Sequence, residues 1–328
     1  MTTRRALLRA LGAGALIARV ACAAGQKPKI PRLGVLWFAA KGDPTLSRWS
    51  GVFRQRLAEL GYVDGETIVI DERYAEGEAQ RLTVLARELV EQRVDVIVAS
   101  AVAASIAARK ATGTIPIVMV HAGNPIGAGL IASLARPGGN VTGTTNLVLG
   151  AKHVELMREL VPRVVRLGIL VNPTNAAAAD TVASMTDAAR TFNINTVVAE
   201  VTRAEDFRTA FALLRKAGPE GLLVMVEPLI GGHRAQVIDF TASSRLPATY
   251  DNANMVRDGG LISYGPLYVE HYAMAAGYVD RILRGAKPAD LPVEQPARFE
   301  LVINLKAAKA LGITIPQSVL LRADEVIR

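Results

Sequence analysis

RLGVLWF at residues 32–38 and RLGILVNP at 166–173 open the two halves of the chain with nearly the same phrase. Each is a short apolar run without polar alternation, the pattern of a strand covered on both faces. The segments after them are also alike. The first is succeeded by SRWSGVFRQRLAELGY (47–62), where Trp49, Phe53, Leu57 and Leu60 recur at helical spacing and Gly61 stops the helix. TIVIDER (67–73), VDVIVAS (94–100) and IPIVMVHAG (115–123) read as further strands, with helices over 78–93 and 101–112 between them. In the other half a helix over 151–162 precedes RLGILVNP. The strands NTVVAEV (195–201), GLLVMVEP (221–228) and LPATYD (246–251) then alternate with helices over 178–192, 204–218 and 233–244. Such alternation builds a parallel sheet with helices on both faces. The fold class is therefore α/β, with two Rossmann-like lobes.

The tail continues with a strand at GGLISYG (259–265), a long helix from 266 ended by Gly285 and Pro288, and a strand and short helix over 299–313. In a two-lobed α/β chain such a tail crosses back to the first lobe and then again to the second, which makes a three-strand hinge. The expected division is an export signal over 1–23, a first lobe of 31–145 plus 255–290, and a second lobe of 146–254 plus 291–328. The hinge is expected near 143–147, 251–256 and 287–296.

A chain of 328 residues, half of them apolar, can bury two cores. Its net charge of +8 is partly local, because the first 23 residues hold Arg4, Arg5, Arg9 and Arg19 and no acid. Elsewhere bases are interleaved with acids and aromatics are sparse, so no stripe tracks phosphates and nucleic acid is not an expected partner. The basic start, Ala/Leu/Gly-rich middle and small residues Ala21-Cys22-Ala23 have the pattern of a cleaved export signal, cut after Ala23. Arg4-Arg5 resembles a twin-arginine signal, while Arg9 and Arg19 interrupt the apolar stretch, and both export routes stay open. Lipid attachment at Cys22 is a rival reading, weakened by Arg19 where such signals carry Leu. Cys22 is the one cysteine, so the mature chain offers no thiolate for catalysis or for metal. No later run is long and charge-free enough to span a bilayer, and the expected location is the periplasm or its membrane face.

Two glycine clusters raise the question of phosphate. GAGLIA (127–132) fits G-x-G-x-x-A, but Asn124, Pro125 and Ile126 separate it from the strand before, and the next strand ends in TTN with no carboxylate. RPGGN (136–140) reads as a turn, with Pro137 ending a helix and Gly138-Gly139-Asn140 able to take positive φ. A P-loop motif is absent. In open parallel sheets ligands sit outside the carboxyl ends of the strands. Those ends carry Trp37, Phe38, Ser100, Ala101, Asn124 with His121 nearby, and Thr144, Thr145 and Asn146 in the first lobe. In the second they carry Asn172, Glu227, Tyr250 and Asp251, and Tyr264 ends the returning strand.

These types suit a small zwitterion. Ser100, Thr145 and helix amides could hold a carboxylate, Glu227 or Asp251 an ammonium, and Trp37, Phe38, Tyr250 and Tyr264 could form apolar walls. Singly, each has a plainer reading: Asn172 before Pro173 as a helix cap, Phe38 as core. The four histidines form no catalytic or metal pattern, and His153 and His271 are expected on solvent-facing helix surfaces. No cofactor or metal is expected. An enzyme of the Rossmann type would need a nucleotide-contacting acid and a general base, and neither is visible.

Three stretches carry a family resemblance: GNPIGAGLIASLARPGGNVTGTTN (123–146), GGLISYGP (259–266), and the run from Ala275 to Ile327 that contains ADLPVEQPARFELVINLKAAKALG. Together they resemble the TrpX-like substrate-binding proteins of bacterial ABC transporters, over nearly the whole mature chain. The resemblance implies the type I periplasmic binding protein fold, with a solute held in the cleft between lobes and an ABC permease as partner. It also implies an amino acid or related small organic solute, and a monomer. Two positions depart from the usual pattern: GNP stands where GDP is common, and Ser100-Ala101-Val102 where a Gly-Thr-Pro-like turn is frequent. A sensory solute-binding module would share the fold and stays open beside transport.

Overall fold

The computed structural model describes residues 30–328. The export-signal reading of 1–23, with Cys22, lies outside the described residues. The first lobe is built from β1 (Arg32–Trp37), α1 (Pro44–Glu59), β2 (Val69–Tyr74), α2 (Arg81–Glu91), β3 (Val96–Ser100), α3 (Ala101–Ala111), β4 (Ile117–Ala122) and β5 (Val141–Thr145). Its five strands are all parallel, in the order β2-β1-β3-β4-β5. β3 is buried at every residue, as its unbroken apolar run requires.

The second lobe begins with α4 (Gly150–Leu160) and β6 (Arg166–Val171), followed by α5 (Ala178–Thr191), β7 (Asn195–Glu200), α6 (Asp206–Ala217) and β8 (Gly221–Val224). It continues through α7 (Pro228–Gly232), α8 (Arg234–Ser243), β9 (Ala248–Tyr250), α9 (Ala253–Arg257) and β10 (Ile262–Pro266). The chain then forms α10 (Tyr268–Leu283), β11 (Phe299–Asn304), α11 (Leu305–Leu311), α12 (Gln317–Leu320) and β12 (Glu325–Ile327). The second sheet has seven strands in the order β12-β11-β10-β9-β8-β6-β7, and only the β10–β11 pair is antiparallel.

The lobe boundaries differ from the sequence expectation at one crossing. The sequence pattern places β10 in the first lobe, with the chain returning at 255. The strand pairs instead with β9 and β11, and Ile262 and Tyr264 pack in the second-lobe core with Leu156 and Leu160 of α4. The return occurs at 266–268, so α10 and the segment after it as far as Val293 join the first lobe, where Tyr272, Ala275, Tyr278 and Val279 pack on Leu33, Val35 and Phe53. The middle crossing is therefore at 266–268, not 251–256. The other two are tied together where Thr145 N–H donates to Glu294 O and Glu294 N–H donates to Gly143 O, each at 3.0 Å. Gly143 is fixed here by sterics: its φ is +127°, and a Cβ would lie 2.1 Å from the Met119 carbonyl oxygen.

The helix expected before RPGGN does not form. Residues 123–140 make turns instead, because Pro125, Gly127 and Gly129 break the backbone pattern while Leu130 and Ile131 still reach the core. RPGGN itself lies at the amino ends of the strands, where Ile117 N–H donates to Asn140 O.

Candidate functional site

The carboxyl ends of both sheets face each other across a cavity of about 340 Å³. That volume lies within the range of small-molecule pockets. The first-lobe wall is aromatic and begins where β3 turns into α3. Ala101 takes φ +71°, a left-handed conformation that strains a residue with a Cβ by about 1–3 kcal/mol, and Ser100, Ala101 and Val102 at the start of α3 line the cavity. The Ser100 hydroxyl lies 2.7 Å from the Tyr272 hydroxyl, which is 3.0 Å from His121 Nε2. Burial, with the neighbouring His271 ring, pushes His121 down to about 3, so this imidazole is neutral at physiological pH. Trp49 stacks on Tyr268 and on Tyr272, with centroids 5.6 and 5.3 Å apart, and Trp49 and Tyr268 line the cavity.

The second-lobe wall carries two carboxylates. Glu227 Oε1 accepts from Ile230 N–H at 2.8 Å and Oε2 from the Asn172 side-chain amide at 3.2 Å. Asp251 Oδ1 accepts from Val226 N–H at 2.8 Å. Burial raises both, Asp251 to about 7, with the Glu227 charge adding to the effect. Arg234, a nearby cation, is engaged elsewhere: it binds Asp258 at 2.6 Å and reaches Asp43 of the first lobe at 3.2 Å. Gly265 lets β10 pass against Asp251, since a Cβ there would lie 1.9 Å from the Asp251 carbonyl oxygen.

Of the residues singled out in the sequence, Phe38, Ser100, Ala101, Asn124, Asn146, Glu227 and Asp251 line the cavity. The others stand behind it. Trp37 is core and donates to Glu72 at 3.0 Å; Tyr250 is in a second-lobe core cluster with Val224 and Val237, its hydroxyl 3.3 Å from that of Thr241. Tyr264 stacks on Phe299. Thr144 Oγ1 accepts from His121 N–H, the Thr145 hydroxyl donates to Ala122 O, and Asn172 positions Glu227. Side chains alternate along a strand, so about half of any set of strand-end residues point into the sheet layers rather than out of the end.

Asn124 does more than line the cavity. Its Oδ1 accepts from Gly127 N–H, and its Nδ2 donates across the cleft to Asp180 Oδ2 at 2.7 Å and Ala176 O at 3.4 Å. With the Arg234–Asp43 pair, this holds the lobes together. His153 and His271 are not on solvent-facing surfaces: they are 2% and 1% exposed. Each sits on the apolar stripe of its helix, His153 between Gly150 and Met157 and His271 between Tyr268 and Ala275. Trp49, Tyr268, His153 and Met185 also line the cavity, although no strand-end rule points to them, and so does Met225, which directly follows β8 and is not among those singled out. The sequence marks Trp49 only as part of a helix's apolar spacing.

The model of a family described as ABC transporter substrate binding protein matches residues 37–327. A tyrosine-binding protein of Clostridioides difficile (strain R20291) is 28% identical over 270 residues, 82% of this chain and 78% of that protein. Two crystal structures superpose closely. One, of a Streptococcus pneumoniae ABC domain in complex with L-Trp, has a TM-score of 0.85 at 30% identity, over 90% of this chain and 99% of that one. The other, of a conserved domain protein from Vibrio cholerae, has a TM-score of 0.86 at 30% identity, over 91% and 100%.

Proposed function

The chain belongs to the ABC transporter substrate binding protein family, and from that premise we propose that its cleft captures an aromatic amino acid for import. The observation that carries this reading is the pair of half-buried carboxyl groups, Glu227 and Asp251, lining an aromatic-walled cavity while the nearby Arg234 is bound to other acids. Two neighbouring half-buried carboxyl groups whose pKa values are raised by burial for want of a paired cation are the place where a solute ammonium gains most. The α3 amides and Ser100 on the opposite wall supply donors for the solute carboxylate. Trp49, Tyr268 and Phe38 provide ring surface for its side chain. Relatives named for tyrosine and bound to tryptophan support the same solute class.

Capture works by hinge closure. The solute bridges both walls, so it binds the closed form better than the open form and shifts the population toward it. The closed chain then docks on an ABC permease, and the basic, small-residue pattern of residues 1–23 fits delivery to the periplasm. Thermal-shift screening against the twenty amino acids, followed by calorimetry on the hits, tests the reading. Aromatic L-amino acids should raise the midpoint by several degrees at millimolar concentration. A midpoint that no amino acid moves would sink it.

A further inference from the structure

Among the described residues, two buried histidines have ring nitrogens without any hydrogen-bond partner in the protein, His153 and His271. They differ in what they face. His271 packs against the His121 ring, centroids 6.2 Å apart, and does not line the cavity. His153, on the first turn of α4, lines the cavity together with Thr181, Met185 and Met225. A buried polar atom left unpaired destabilises a protein by about 1–3 kcal/mol. Leucine on the same apolar stripe would avoid that penalty. A neutral imidazole has one donor and one acceptor to satisfy; both ring nitrogens are sealed in this conformation, and since the residue borders the cavity, a turn of the ring toward the cavity is what gives them a partner.

We infer that His153 is a specificity-determining residue: it hydrogen-bonds a polar group on the aromatic side chain of the solute, selecting an indole N–H or phenol hydroxyl over a plain phenyl ring. This rests on the amino-acid reading above. The solute's charged end is accounted for elsewhere, by Glu227 and Asp251. His153 is not coupled to that end, because burial alone, with no contribution from either carboxylate, lowers it to about 4. The ring is therefore neutral at physiological pH and keeps both a donor and an acceptor. Met185 and Met225 beside it are polarizable side chains that suit an aromatic ring. A site built to hydrogen-bond a solute group discriminates strongly against the analogue that lacks it, since the protein group is then left unpaired.

The test is calorimetric binding of L-tyrosine, L-tryptophan and L-phenylalanine to the wild type, His153→Leu and His153→Gln. The wild type should bind tyrosine or tryptophan roughly tenfold or more tightly than phenylalanine. His153→Leu should erase that preference by weakening the polar-tipped probe while leaving phenylalanine unchanged or tighter, and His153→Gln should retain most of it. Equal affinities in the wild type overturn the inference, as does a leucine variant that weakens all three probes by one common factor. Binding without discrimination thus removes this inference alone, whereas binding of none of the three removes the amino-acid reading and this inference with it. Should His153→Leu fail to fold by circular dichroism, the wild-type preference and its retention in His153→Gln decide the matter.

Discussion

Burial pushes the Asp251 carboxyl up to about 7, so near neutral pH roughly half of it is protonated before a solute arrives. An ammonium beside it favours the carboxylate and lowers its pKa, so binding in this range expels a proton. Raising the pH removes the competing proton, and affinity should therefore tighten by about fivefold from pH 6 to 7 and by about twofold more from 7 to 8, then level off. Calorimetry at pH 6, 7 and 8 reads this, and a constant Kd across the series would contradict it. Asp251→Asn should weaken binding on the order of 10–100-fold, the range for a charged hydrogen bond, and flatten the pH dependence. Asp251 is legible in the sequence because it directly follows a strand of a parallel sheet. Its neighbour Tyr250 is equally legible as a strand end, yet it points into the core beside Thr241. Pattern locates the end of a strand; which of two successive side chains leaves it depends on strand twist and exit angle.

Asn124 shows how an element-to-element contact reinterprets a departure from a family pattern. GNP in place of the common GDP takes a carboxylate away from the cleft, and the structure sets the Asn124 amide against Asp180 at the start of α5. An aspartate here would face a carboxylate at hydrogen-bond distance, so Asn124→Asp should disfavour closure and weaken solute affinity by about tenfold, about 1.4 kcal/mol. Asp180→Asn in the same chain should restore it, with the donor and acceptor exchanged. Both lobes should stay folded throughout, which thermal unfolding without solute checks. An affinity untouched by Asn124→Asp would mean that the contact does not contribute to closure. Helices and strands are legible wherever period and length agree, as at α1 and β3. The exceptions have physical causes. The apolar residues of 123–140 anchor turns because glycine and proline deny them a helix, and β10 joins the other sheet because pairing partners are set by tertiary packing. The burial of His153 and His271 is present in the spacing of their helices, where position outweighs residue type.

At the scale of the whole molecule, the alternation of strands and helices in the sequence accounts for two sheets, but not for how many buried ionisable groups lie between and beneath them. Burial lowers His121, His153 and His271 from the ordinary 6.5 to about 3, 4 and 4. A base with a depressed folded-state pKa contributes stability that is fully present above its unfolded pKa and is lost as pH falls toward the folded value. Glu227 and Asp251 act in the opposite direction. As acids with raised folded-state pKa values, they favour the folded chain at low pH and lose that contribution as pH rises. A simple stability profile therefore mixes both signs, and a difference between two proteins separates them. His271 lies outside the cavity and has no hydrogen-bond partner for its ring in the protein, so His271→Leu removes one titrating base without touching the carboxylates. Measured by urea unfolding, the variant should gain on the wild type steadily from pH 6.5 down to about 4. The accumulated gain should be about 3 kcal/mol, from 1.36 kcal/mol per pKa unit over the shift. Parallel profiles for the two proteins would mean that His271 is protonated as readily folded as unfolded, which a ring sealed beneath Tyr268 and His121 does not allow.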